Sequence, residues 1–244
     1  MTQANVAACA LATLVLAGCG GSKDADDGAT RGALQARIAS LEQRKTRVAD
    51  VNAIERLQAA YGYYVDKALW DDAAELFADD GTIEIGLDGV YVGKPRVREY
   101  LYATGRGRAG LRDGQLNEFL QVMPVVTLAA DGRSAKARWR AIALTGELGR
   151  SAFWGEGPYE NEYVKQDGVW KIKSLHWYQA LLVPYEGGWQ SQRDPTGGKF
   201  VSATLPPDQP PTVEYKTWPD TYVPPFSFAN PVAKYVAASE EAAP

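Results

Sequence analysis

Gly157-Pro158-Tyr159-Glu160-Asn161-Glu162-Tyr163-Val164, followed across Asp167-Gly168 by Val169-Trp170-Lys171-Ile172, is the stretch whose reading decides the fold. Tyr159, Asn161 and Tyr163 alternate with Glu160 and Glu162, so a strand through them carries one uncharged and one charged face. Asp-Gly is a hairpin turn signal, and alternation resumes behind it, with Lys171 and Lys173 marking a solvent face. Continued unbroken, it puts Trp170, Ile172, Ser174, His176 and Tyr178 on the opposite face. Outward from this hairpin, strand-like stretches at 116–129, 134–147, 152–166 and 169–183 are separated by Asp131-Gly132, Glu147-Leu148-Gly149-Arg150 and Asp167-Gly168.

Ahead of the meander lie helical patterns. Leu34, Ile38, Leu41 and Val48 form one stripe, and Ile54, Leu57, Tyr61, Tyr64, Val65 and Ala68 a second. Leu34, Leu41 and Val48 lie seven apart, which suits either a short coiled coil between protomers or a helix packed on its own domain. Trp70-Asp71-Asp72 opens a third helix with acids at its N-terminus. Thr82–Ile85 and Val90–Val92 flank Leu87-Asp88-Gly89 as a short hairpin, and Lys94 to Tyr102 reads as a helix with Pro95 in its first turn. Helices first and an antiparallel meander after them define an α+β fold.

The 244 residues carry a net charge of −4, are 45% hydrophobic and 11% aromatic, and so are too apolar for general disorder. The acidic balance argues against a nucleic-acid partner. Two cysteines and one histidine exclude most metal cages; a carboxylate-rich site for a hard cation stays open but has no motif behind it, so no metal is expected. No Walker loop, GxGxxG, GxSxG or HExxH pattern occurs.

Val6 to Leu16 is an apolar run of 11 residues ending in Leu16-Ala17-Gly18-Cys19, which resembles a bacterial lipoprotein box with Cys19 as the lipidated residue. The expected organisation is a signal segment at 1–19, a tether and N-terminal helix at 20–50, a main domain at 51–184 and a tail at 185–244. The expected location is the bacterial cell envelope, lipid-anchored towards the periplasm or released into it. From Pro184 onward lie 11 of the 14 prolines, and the tail also carries Phe200, Tyr215, Trp218, Tyr222, Phe226, Phe228 and Tyr235, so it reads as an extended arm packed on its own domain or a neighbour's.

Three stretches resemble the SnoaL-like branch of the nuclear transport factor 2-like superfamily. They are Ile54-Glu55-Arg56-Leu57 through Tyr64-Val65-Asp66-Lys67-Ala68-Leu69-Trp70-Asp71 to Leu76-Phe77-Ala78-Asp79-Asp80-Gly81, then Gly93-Lys94-Pro95-Arg96-Val97-Arg98, then the hairpin quoted above. The resemblance implies a cone: a curved antiparallel sheet wrapped on N-terminal helices around a pocket, with a dimer as the default assembly. It also implies chemistry without a cofactor, as in scytalone dehydratase, ketosteroid isomerase and polyketide cyclases, although some members only bind or scaffold. Sphingomonad relatives cleave lignin-derived diarylpropane diols with release of formaldehyde. By the same resemblance Asp66 falls on the acidic pocket residue at the end of the first long helix. Phe119 stands where many relatives carry histidine, and Tyr159 lies near a substrate-holding asparagine.

The candidate catalytic residues are Asp66, His176 and Tyr159. A carboxylate on an apolar helix can serve as a general base once desolvated; the alternative is a salt bridge to Lys67, Arg138 or Arg140, or a helix cap. His176 is the natural proton shuttle if it faces the cone, or a buried histidine bound to a backbone carbonyl if it does not. Asn161, Tyr61, Tyr64, Phe119, Gln121, Trp139, Trp154 and Tyr178 are candidate substrate contacts, with Asn117 beside them, or else core residues. Arg96, Arg98, Arg106, Arg108 and Arg112 make either a basic mouth or a solvated face. The reading is a cofactor-independent lyase acting on a small aromatic compound, losing water or a small aldehyde. An isomerase and a non-catalytic ligand-binding or assembly lipoprotein stay open beside it.

Overall fold

The computed structural model describes residues 21–188, 201–218 and 220–228. The signal segment, Cys19, Phe200 and Tyr235 lie outside them. The chain divides into two units, Met1–Thr46 and Arg47–Pro244. In the first, the described residues are helical, and every side chain from Thr30 to Thr46 is exposed. Where a tether was expected ahead of the N-terminal helix within 20–50, helix α1 runs over Gly21–Asp66. Extending a formed helix costs far less than nucleating one, so the periodic segment carries its weaker neighbours with it.

In the second unit, α1 is followed by α2 (Trp70–Glu75), β1 (Phe77–Ile85), β2 (Val90–Val92) and α3 (Lys94–Thr104). The meander is β3 (Gln115–Leu128), β4 (Ser134–Glu147), β5 (Ser151–Gln166) and β6 (Val169–Trp177), with β7 (Leu181–Pro184) behind it. The sheet order is β2-β1-β6-β5-β4-β3, with β7 on β5. One pair, β1 with β6, is parallel, so the curved sheet is mixed where an all-antiparallel one was expected. Its inner face packs on the second half of α1. Ala137, Ala141 and Ala143 of β4 are buried there, small enough to let helix and sheet close on one another around Ile54, Tyr61 and Val65.

The sheet's parity changes at one place. Glu162 stands opposite Ser174 while Tyr163 stands opposite Ile172, so Lys173 is an extra residue on β6. Such a bulge moves every later side chain of its strand to the other face. Trp170 and Ile172 point inward before it, and Leu175 and Trp177 point inward after it, opposite Asn161 and Tyr159. Ser174, His176 and Tyr178 are thereby turned outward. A second bulge, on β3 between Val122 and Val125, contains Met123 at φ 57° and Pro124, which a regular ladder would not accept.

Residues 201–212 run along the β1–β2 hairpin. The backbone N–H groups of Val201 and Ser202 donate to Asp88 Oδ1 at 2.9 and 3.1 Å. Tyr91 Oη donates to the Leu205 carbonyl at 2.7 Å, and Val92 N–H to Asp208 Oδ2 at 2.8 Å. Thr212 donates both its N–H and its hydroxyl to Glu84, at 2.7 and 2.8 Å. Val201 is buried with the core and Leu205 packs against it, so the segment is held by apolar contact as well as by these bonds.

Candidate active site

Helix α1 ends in a Schellman motif: Ala68 N–H donates to the Val65 carbonyl at 3.0 Å and Leu69 N–H to the Tyr64 carbonyl at 2.8 Å. Ala68 adopts φ 53°, a conformation more usual for glycine. This closure fixes Asp66 in the last helical turn, facing β3. Asn117 Nδ2 donates to the Val65 carbonyl at 2.8 Å and Phe119 N–H donates to Asp66 Oδ1 at 2.5 Å. Asp66 is buried at 7% exposure. Burial raises its carboxyl above the usual range, the Phe119 N–H opposes that rise, and the negative charge of Glu118 adds to it. None of the salt bridges weighed for Asp66 forms, since Lys67 pairs with Glu118, Arg138 with Glu160 and Arg140 with Glu156.

From Asp66 a string of ring contacts leads inward. Phe119 meets Trp177 edge-on at 5.8 Å, Trp177 stacks on Tyr159 at 6.0 Å, Tyr159 meets Tyr61 at 6.5 Å, and Tyr61 meets Phe77 at 6.0 Å. Tyr159 and Tyr61 are fully buried, and burial raises both phenols far enough that they stay protonated at any working pH. Phe119 is half-buried, so the acid end of the string is the end nearer to solvent.

Beside the string lies a buried polar network. Tyr163 Oη donates to Gln58 Oε1 at 2.6 Å and accepts from Trp139 Nε1 at 3.0 Å. Asn161 Nδ2 donates to Gln58 Oε1 at 3.0 Å, and Gln58 Nε2 donates to Gln121 Oε1. Tyr163 stands on the inward face expected for it beside Tyr159 and Asn161, whereas Gln58 was not among the expected site residues. The signal for Gln58 was present: it lies four residues after Ile54 and three before Tyr61, a polar group on the apolar stripe.

The inner site therefore brings together Asp66, Tyr61, Asn117, Phe119, Gln121, Trp139, Tyr159 and Asn161, with Tyr64 half-buried against the core. Three expected members lie elsewhere. The bulge at Lys173 carries His176 and Tyr178 to the outer face. Trp154 is five residues from Tyr159 on a strand in unbroken register with β4, so it too points outward, stacked on Tyr185 at 6.4 Å. His176 Nδ1 lies 3.3 Å from Glu84 Oε2 and 3.5 Å from Thr212 Oγ1, and its ring stacks on Tyr178 at 3.7 Å. Burial pushes its pKa down to about 3, so the imidazole stays neutral. The only histidine of the chain should accordingly show no NMR titration near its ordinary pKa of about 6.5. A midpoint there would mean that the segment around Thr212 does not cover it.

Tyr178 also walls a cavity of about 190 Å³ on the outer side, with Ala180, Tyr215, Trp218 and Tyr222. The arginine-rich stretch does not form one basic mouth. Arg96 pairs with Glu99 and Asp208, and Arg98 with Asp71 and Glu75, while Arg106, Arg108 and Arg112 are solvated. Among the described residues no three His, Cys, Asp or Glu side chains are grouped to hold a metal ion, and no helix is long and apolar enough to cross a membrane.

The SnoaL-like domain model matches residues 46–176, and the chain belongs to that family. Solved structures with the same fold include the hexachlorocyclohexane dehydrochlorinase LinA-type3 of Novosphingobium barchaimii. It is 19% identical, with a TM-score of 0.52 over 59% of this chain and 95% of that one. A protein of Novosphingobium aromaticivorans, provisionally named a scytalone dehydratase, is 20% identical, with a TM-score of 0.51 over 58% of this chain and 91% of that one. Comparison with curated proteins gave no match.

Proposed function

We propose that the protein is a cofactor-independent lyase that removes water or a small aldehyde such as formaldehyde from a small aromatic substrate held in the cone. The observation that carries this reading is the buried Asp66 carboxylate at the head of the Phe119–Trp177–Tyr159–Tyr61 string. A base with a raised pKa set beside aromatic walls suits proton abstraction from an aryl-activated position. In a dehydration the carboxylate takes a C–H proton, the electron pair forms the new C=C bond, and the hydroxyl leaves. For aldehyde release it takes the O–H proton of a hydroxymethyl group, and C–C cleavage expels the neighbouring hydroxyl. Either way the leaving hydroxyl needs a proton. With His176 on the outer face, the inner phenol of Tyr159 is the donor, reprotonated from Asp66 as water departs. Asn161 and Gln58 supply the polar contacts that would hold a substrate oxygen. Two of the structural neighbours are named for eliminations, of water and of hydrogen chloride, which supports an elimination here.

A second reading, a ligand-binding protein without turnover, is favoured by the close filling of the cone, where Tyr159 is 1% and Trp177 3% exposed. Incubation with a panel of aromatic diols and ketones, without added cofactor, separates the two by chromatography with mass detection. Products lighter by water or formaldehyde establish the lyase. Unchanged compounds that raise Tm establish binding alone, and neither effect rules out this substrate class.

A further inference from the structure

The first stripe of α1 stands apart from the reaction. Leu34, Ile38, Leu41 and Val48 are 59%, 56%, 49% and 62% exposed, so four apolar side chains in one row face water. We infer that this row is the seam of a parallel two-stranded coiled coil formed with a second copy of the chain.

The spacing sets the heptad. Ile38 and Lys45 take the a positions, and Leu34, Leu41 and Val48 take d. A β-branched residue at a beside leucine at d favours two strands. A single lysine at a holds the seam to one register, its stem packed and its head at the rim, where Glu42 lies three residues earlier on the same helix. Charge then selects direction. Arg37 and Arg44 fall at g, and Gln35, Glu42 and Ala49 at e. In a parallel pair each g position reaches the following e position of the other helix, so Arg37 meets Glu42 of the second copy, twice by symmetry. In an antiparallel pair g meets g, setting arginines against arginines.

Between Thr30 and Ala49 there are five cations and one acid, a balance that would also attract an anionic lipid surface. The apolar row is narrow, however, carries no aromatic residue and is interrupted by Lys45, which fits a helix–helix seam better than a face laid into acyl chains.

Sedimentation of the purified full chain over a concentration series tests this. A monomer–dimer equilibrium is expected that Leu41→Glu abolishes, and folding is not at stake because the site is exposed. Arg37→Glu should weaken the dimer about tenfold, and Arg37→Glu combined with Glu42→Arg should restore it. With Cys9 and Cys19 replaced by serine, Leu41→Cys should form a disulfide-linked dimer on oxidation, whereas Ser40→Cys, on the outer side of the pair, should not. A monomer at every concentration, a dimer indifferent to Leu41→Glu, equal cross-linking at both sites, or a monomer that sediments only with anionic phospholipid vesicles would each overturn the assignment.

Discussion

Asp66→Asn is expected to lower turnover by about 10²–10⁴-fold, the contribution of a positioned general base, while leaving Tm unchanged or higher. The two effects share one cause. Burial raises the carboxyl of Asp66, so the fold favours its neutral form. The sign follows from linkage. For an acid whose pKa is higher folded than unfolded, the native state gains stability at low pH and loses it as pH rises through that interval. At neutral pH the ionised Asp66 is therefore a liability that asparagine removes. The amide oxygen can still accept from Phe119 N–H, which keeps the end of α1 on β3. In the wild type, activity should fall as pH drops through the raised Asp66 pKa, because the base is then protonated, and the variant should lose that limb of the profile. Measured together, kcat/KM against pH and Tm separate a catalytic carboxylate from a structural one. A variant that keeps its turnover, or that unfolds, sinks the proposed role.

Gly157→Ala is expected to be the most damaging single methyl in the sheet. A Cβ on Gly157 would lie 2.0 Å from the Tyr178 carbonyl oxygen and 2.8 Å from the Ala180 backbone nitrogen. Backbone cannot swing aside as a flexible side chain can. The bare Cα lets the chain leaving β6 run close beside β5, where Tyr178 N–H donates to the Pro158 carbonyl at 2.9 Å and Trp177 Nε1 to the Gly157 carbonyl at 3.1 Å. The substitution must push that stretch of chain away, at a cost of about 3 kcal/mol, the upper part of the range for overpacking. Trp177 would move with it, and with Trp177 the Phe119–Tyr159 contact line. Denaturant unfolding gives the stability loss directly. A change within about 0.5 kcal/mol, the size of an ordinary surface substitution, would mean that the contact is looser than this.

Much of the site was legible because its parts lie on elements with an unbroken period. Tyr61 follows from the helical stripe, Asp66 from the family resemblance at the end of that helix, and Tyr159, Asn161 and Tyr163 from alternation on a strand whose register to β4 never shifts. Phe119, Gln121 and Asn117 share a face by the same rule. Gln58 was overlooked although its position marked it, because a single amide on an apolar stripe has meaning only when its partners are known. Those partners are Gln121, Asn161 and Tyr163, between 63 and 105 residues away.

By itself, then, the amino-acid sequence determined the α+β class, the order of helices and hairpins, the family and the acidic end of the first long helix. Each of these depends on local periodicity, turn chemistry or a short motif. Only the tertiary structure decided that His176 and Tyr178 stand outside the cone, that one sheet pair is parallel, and that Thr212 reaches Glu84 beside the histidine. One inserted residue at Lys173 reverses the facing of a strand without altering its composition. A bulge is a property of two strands in register, and no single strand's pattern contains it.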